Sequence, residues 1–159
     1  MVSISSKSAI IKRTIKSFSE KAELFNLPLK NSEINNIRLF LQHEYEIIPD
    51  KERIGKGSVY IAMNTAAGFV KILKDRKNFD NSNFSIQIFN HGKEIKDINL
   101  KNFAIAFLAE TVSHSDINID KVLNQAKTWA NDSEWEIREM SGYIIRKSLK
   151  NFPVKTLQT

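Results

Sequence analysis

Apolar residues recur at steps of three and four along most of the chain, which is the repeat of one face of an α-helix. Proline, glycine and polar stretches separate these runs and mark the predicted turns. The pattern predicts helices over Ser5 to Phe25, from Asn31 or Ser32 to before Pro49, from Ser58 to about Arg76, over about 99–111, over 118–130, and from Glu134 to about Asn151. The sequence therefore predicts an all-α protein.

The apolar positions in these runs are the predicted core. In the first half of the chain they are Ile11, Ile15, Phe18, Ala22, Phe25, Ile34, Ile37, Leu41, Tyr45, Ile61, Ala62, Thr65, Phe69, Ile72 and Leu73. In the second half they are Leu100, Phe103, Ala104, Phe107, Leu108, Thr111, Val122, Leu123, Ala126, Trp129 and Ala130.

The stretch from Asp80 to Asp97 allows two interpretations. Phe84, Ile86 and Ile88 alternate as in a β-strand, whereas Ser82 could cap a short helix that Gly92 would end. We favour the helix.

The second half predicts short helices joined by turns of a few residues. Asn118 caps one helix, and Ser133 with Glu136 forms a capping box at the start of the next. Because short turns force neighbouring helices to pack antiparallel, the chain resembles the helix pairs of an α-solenoid. We predict a single helical domain over 1–159, with 98–159 built from HEAT-like helix pairs. Pro153 is predicted to open a further helix, as in the N-terminal part of a longer solenoid.

Composition restricts the possible chemistry. The 159 residues contain no Cys, which excludes disulfides, thiolate nucleophiles and Cys-based metal sites and favours a reducing, cytoplasmic location. No apolar run of about 18 residues is available to span a membrane. The basic N-terminus also allows an organelle presequence, because four cations precede its first acid, Glu20. The formal charge of +6 favours a polyanionic partner, although such a charge can also serve solubility alone.

A helical wheel divides residues 134–150 into two faces. The predicted core face comprises Ile137, Met140, Ser141, Ile144, Ile145 and Ser148, with Leu149 the one aliphatic residue outside it. The opposite face comprises Trp135, Glu139, Gly142 and Arg146, flanked by Arg138, Tyr143, Lys147 and Lys150.

This polar face is the candidate functional site. It combines an aromatic ring, a carboxylate one turn later, a glycine that allows close approach of another backbone, and four cations that could contact phosphates. The alternative is structural: Trp135 covers the preceding helix, Glu139 is solvated, and the cations keep an outer face wet.

Two segments resemble a known family. The stretch LKNFAIAFLAE from Leu100 to Glu110, followed by KTWANDSEWEIREM from Lys127 to Met140, is similar to the HEAT-like DNA alkylation repair glycosylases of the AlkC and AlkD type. The resemblance covers about residues 95–155. It implies a positively charged solenoid that holds duplex DNA, with an aromatic residue and an acid one turn apart facing the damaged nucleotide.

Trp135 and Glu139 match that pair and are the catalytic residues that the resemblance implies. AlkD-type members have aspartate at the second position, whereas AlkC-like members use glutamate. Arg138, Gly142, Tyr143, Arg146, Lys147 and Lys150 are the expected DNA-binding residues. The implied reaction hydrolyses the N-glycosidic bond of 3- or 7-alkylated purines and requires no metal or cofactor.

Other signals in the sequence point to no further chemistry. Residues 55–58 resemble a phosphate-binding loop, but the required earlier glycine is replaced by Asp50. The three histidines are far apart in the sequence, and no G-x-S-x-G motif is present. A second hypothesis remains open, in which the chain is a noncatalytic helical scaffold that binds another protein through the same face or through its C-terminal end.

Overall fold

The computed structural model describes residues 3–114 and 117–158, apart from the side chains of residues 22–24. Its helices are α1 (Lys7–Phe18), α2 (Asn31–Glu46), α3 (Ser58–Leu73), α4 (Asn81–Glu94), α5 (Ile98–Thr111), α6 (Ile119–Ala130), α7 (Trp135–Asn151) and α8 (Pro153–Gln158). Two 3₁₀ helices, Ser19–Leu24 and Asp50–Glu52, lie between them. Every regular element in the described part is helical, which confirms the predicted all-α class.

The odd-numbered long helices lie side by side, with α3 between α1 and α5, and α5 between α3 and α7. Contacts between α5 and α7 give the direction of these two helices. Near the two helix starts, Lys101 of α5 pairs with Glu134 at the cap of α7. Nine residues further along both helices, Tyr143 of α7 donates a hydrogen bond to Glu110 of α5. Helices α5 and α7 are therefore parallel.

The even-numbered helices contact the odd-numbered ones from the other side. Helix α4 runs antiparallel to α5, since the Ser85 hydroxyl donates to the Ala104 carbonyl and Gly92 lies against Leu100. Phe89 of α4 stacks near Trp129 of α6, with 4.9 Å between ring centroids. The result is two layers of helices in contact.

Helix α5 is the centre of the core. All seven residues from Phe103 to Ala109 have 0% of their surface exposed. Helices α3, α4 and α7 pack against α5, and α2 adds a smaller contact. A flat stack of helix pairs would leave one side of α5 in solvent, so the layers must close around it.

The first helix differs from its prediction in length and in its buried face. It ends at Phe18, and a 3₁₀ helix follows where the pattern predicts helix to Phe25. Thr14 and Ile10 are completely buried, whereas Ile11 and Ile15 are only half-buried. A Cβ on Gly68 would lie 2.7 Å from the Thr14 Cβ, so this glycine lets α3 approach α1 closely. The predicted Ala22 contact lies outside the described side chains.

Helix α2 also buries an unpredicted residue. Ile34, Ile37 and Leu41 are buried as the pattern predicts, but Tyr45 is 39% exposed. The neighbouring Glu44 is buried in its place. A core-facing acid cannot be recognised from apolar periodicity.

The ambiguous stretch after Asp80 is a helix, which confirms the favoured interpretation. The predicted cap at Ser82 is wrong, because Asp80 caps the helix and its side chain accepts a hydrogen bond from the Asn83 amide. The helix continues past Gly92 to Glu94. A Cβ at Gly92 would come within 3.0–3.2 Å of Leu100, Lys101 and the Asp97 carbonyl, so this glycine allows the tight passage into α5.

The C-terminal helices follow their predictions except at one cap and at Ala130, which is predicted in the core but is exposed at the last turn of α6. Asn118 caps α6 and Pro153 begins α8, as predicted. The predicted capping box of Ser133 and Glu136 is wrong, since Glu134 occupies the cap position of α7 and its side chain makes no capping bond. None of the helices in the described part of the chain is both long and apolar enough to cross a membrane.

Candidate nucleic-acid interface on helix α7

Helix α7 has the two faces that the wheel predicts. Ile137, Met140 and Ile144 are buried, together with Ser141 and Ser148, whereas Ile145, also predicted on the core face, is half-buried. Packing against α5 and α6 accounts for this burial. Leu149, predicted outside the core face, is 39% exposed. The opposite face is therefore available to a partner.

Trp135 and Glu139 lie one turn apart on this open face. Trp135 is 59% exposed, so packing on the preceding helix covers the smaller part of its surface. The tryptophan that packs against α4 is Trp129, which is only 3% exposed. Glu139 is also exposed. A large exposed aromatic side chain beside a solvated carboxylate can contact a ligand without any rearrangement of the core.

Tyr143 links this face to the central helix. Its hydroxyl donates to Oε1 of Glu110 at 2.6 Å, and the Lys147 ammonium lies 3.6 Å from the same oxygen. Burial, followed by the Glu110 hydrogen bond and charge, raises the pKa of Tyr143. Because the tyrosine stays protonated, it remains a hydrogen-bond donor and fixes the Glu110 carboxylate.

The predicted phosphate contacts differ in their availability. Arg138 donates to the carbonyls of Asp132 and Ser133, at 2.8 and 3.0 Å, and so braces the turn before α7. Lys147 is paired with Glu110. Arg146 lies over the Tyr143 ring at 5.9 Å. Within the described residues, neither Arg146 nor Lys150 is part of an ion pair within 4.0 Å.

The charge on α7 changes sign along the helix. Glu134 occupies the cap position, Glu136 and Glu139 lie in the first two turns together with Arg138, and no acid follows Glu139 in the helix. The cations after Glu139 in α7 are Arg146, Lys147 and Lys150. Acids at the start and cations at the end also complement the helix dipole. Glu139 and Arg146 are about 10 Å apart along the axis at the α-helical rise per residue.

Gly142 leaves the backbone of α7 uncovered in the middle of this face. A Cβ there would lie 3.7 Å from the nearest atom, a terminal nitrogen of Arg146, which is ordinary contact. The packing within the protein therefore does not require glycine at this position. The absence of a side chain gives an approaching backbone access to the helix surface.

Two site residues were not predicted from the sequence. Lys101 is 5% exposed and pairs with Glu134 at the start of α7, and Glu110 holds Tyr143 and Lys147. They flank the apolar run 103–109, with Asn102 between Lys101 and its start. A charge close to a long apolar run is the sequence signal that could have identified them.

Comparison with known proteins gives no assignment: no family model, no curated protein and no solved structure matches the chain.

Proposed function

We propose that the open face of α7 binds duplex DNA. The observation that carries the proposal is the 59% exposure of Trp135 on the face that also presents Glu139 and, two and three turns further, Arg146 and Lys150. Arginine and lysine contact phosphates, and these contacts fix the position of the protein on a duplex. The acid-free part of α7 would supply them.

The family resemblance extends this proposal to excision of alkylated purines. Such a base carries positive charge and leaves as a neutral purine when its bond to C1′ breaks. In this mechanism the Glu139 carboxylate stabilises the oxocarbenium sugar, a water oxygen bonds to C1′, and the water proton is released. Trp135 would cover the sugar and exclude solvent.

Two features of the structure support this role for Glu139. Its carboxylate is exposed, so a DNA backbone can reach it, and Gly142 leaves room beside it on the helix. Contact with DNA would remove water from the carboxylate and strengthen its interaction with a developing positive charge.

We also propose that the layered helices are HEAT-like pairs, with α4–α5 and α6–α7 as repeats. Support comes from the antiparallel packing of α4 on α5 and from the direct contact of α5 with α7. The closure of the layers around α5 would make such an array strongly curved.

The excision proposal is tested by measuring release of 7-methylguanine from methylated duplex DNA. We expect wild-type protein to release the base and Glu139→Gln to lose this activity while its melting temperature changes little, because an exposed carboxylate adds little stability. Glu136→Gln is the matched control, since Glu136 is also exposed on α7 but on another side of the helix. Absence of release by wild-type protein, or equal loss in both variants, would exclude this role for Glu139.

A protein-binding scaffold is the second candidate. Its support is the apolar surface of α8, where Val154 and Leu157 are 67% and 78% exposed. Exposed apolar side chains of this size are typical of a surface that a partner covers. This alternative is supported if Trp135→Ala and Glu139→Gln lower the melting temperature and wild-type protein releases no base.

A further inference from the structure

A separate cleft lies at the C-terminal end of the central helix α5. The end of α3, the segment joining it to α4, and the end of α5 surround a volume of about 710 Å³. Residues lining it include Leu73, Lys74, Arg76, Lys77, Phe79 and His114. None of the described lining residues belongs to α7. A volume of this size is in the range of small-molecule and cofactor sites.

The rim of the cleft is strongly cationic. Its lining contains the three cations Lys74, Arg76 and Lys77 against the single acid Asp75. Lys74 and Lys77 are exposed, and among the described residues neither is part of an ion pair within 4.0 Å. Asp80, just beyond these residues, forms an ion pair with Lys121 at 2.9 Å and so does not neutralise the lysines of the rim. The rim therefore has cationic groups available for an anion.

One wall of the cleft is flat and partly apolar. The Arg76 guanidinium lies over the Phe79 ring at 4.7 Å and donates to the Phe25 carbonyl at 2.6 Å, which holds it in place. Phe79 is in turn packed on the buried Phe84, with 5.5 Å between centroids. Guanidinium and aromatic planes are the surfaces on which nucleobases stack. A fixed flat group thus adjoins two free lysines.

We propose that this cleft binds a nucleotide. Lys74 and Lys77 contact its phosphates, and the Arg76–Phe79 pair offers a stacking surface to its base. The site is independent of the α7 face, because it uses none of that face's residues.

The test is displacement of N-methylanthraniloyl-ATP from the purified chain, followed by fluorescence anisotropy. We expect ATP and AMP to compete and adenosine to fail, because the lysines require phosphate. Lys74→Glu with Lys77→Glu should weaken binding at least about tenfold, the usual effect of losing charge-assisted bonds. Lys74→Ala with Lys77→Ala is the milder variant. Lys71→Glu is the matched control, since Lys71 is exposed in the last turn of α3 and does not line the cleft.

Three results would overturn the proposal. If wild-type protein does not retain the labelled nucleotide and Lys74→Glu with Lys77→Glu only lowers the melting temperature, the lysines serve the end of α3. If inorganic tripolyphosphate competes as well as ATP, the base is not recognised. If a DNA duplex binds through these lysines and mononucleotides do not, the cleft is a nucleic-acid surface.

Discussion

At the scale of single residues, Glu44 is a buried carboxylate that depends on a charged partner. This carboxylate is 1% exposed, and Arg13 donates to both of its oxygens at 2.8–3.1 Å. Arg13 also donates to the Ile4 carbonyl at 2.7 Å, which ties the segment before α1 to the same group. A buried charge needs such a partner, because its desolvation is otherwise uncompensated.

Removal of Arg13 should therefore destabilise the fold strongly. We expect Arg13→Ala to lower the free energy of unfolding by about 3 kcal/mol, since Glu44 is then buried without its partner. Arg38→Ala is the control, because among the described residues the Arg38 side chain bonds only that of nearby Asn35, and it should cost less than about 1 kcal/mol. Urea denaturation measures both. Similar losses of unfolding free energy in the two variants would show that the Arg13–Glu44 pair contributes no more to stability than the contact of Arg38 with Asn35.

The same pair marks the limit of sequence inference at this scale. The periodicity predicts Tyr45 in the core, because the aromatic residue fits an apolar stripe and an acid does not. The burial of Glu44 depends on Arg13, 31 positions away. The helical wheel is sufficient to predict that Trp135 and Glu139 are exposed, since it correctly places Ile137, Met140 and Ile144 on the buried side.

At the scale of the helices, local signals predict elements well and their ends less well. The caps at Asn118 and the start at Pro153 follow from local chemistry and are confirmed. The capping box at Ser133 is wrong because the Asp132 side chain accepts from the Glu134 amide and Arg138 binds the turn carbonyls. Such competing bonds become visible only when the turn is folded.

The cap at Asp80 gives a pH-dependent prediction. Partial burial raises the pKa of Asp80, but the Asn83 amide and Lys121 outweigh this effect, so the pKa is below its ordinary value. The stabilisation is therefore complete above the unfolded pKa of about 3.9 and is lost as pH falls through the lower folded pKa.

Unfolding measurements on two Asp80 variants test this cap. Asp80→Ala should cost about 1 kcal/mol near neutral pH, and Asp80→Asn less, because asparagine also caps helices. The difference between wild-type and Asp80→Asn proteins should shrink as pH is lowered from about 5 to below 3.9. A difference that does not change with pH would show that the charge of Asp80 is irrelevant to stability.

At the scale of the whole molecule, positive charge is unevenly distributed. Residues 1–97 contain 16 Lys and Arg against 11 Asp and Glu, whereas residues 98–159 contain 8 against 7. The net charge of the chain therefore does not identify α7 as an interface. Helix α7 is distinguished by the local order of its charges, because its acids lie at or before Glu139 and three of its four cations, Arg146, Lys147 and Lys150, lie after it.

The arrangement of helices also limits what could be predicted at this scale. Helix lengths and turns predict antiparallel neighbours, as α4 and α5 confirm. They do not predict that α5 is enclosed on all sides, since this depends on contacts with α2, α3, α4 and α7 together. The all-α class follows from the sequence, and the solenoid remains a proposal.

The most direct test of the proposed DNA interface is the binding of a fluorescein-labelled duplex, measured by anisotropy from low to physiological salt. Three proteins are compared: wild type, Arg146→Glu with Lys150→Glu, and Lys7→Glu with Lys12→Glu. Lys7 and Lys12 are exposed on α1, which is separated from α7 by α3 and α5, and their substitution changes the net charge equally. We expect wild-type affinity to fall steeply with salt, and the α7 variant to lose most binding and about two units of the salt slope. The α1 variant should retain most of the binding. Equal losses in both variants, or wild-type binding that does not depend on salt, would contradict the assignment of DNA binding to α7.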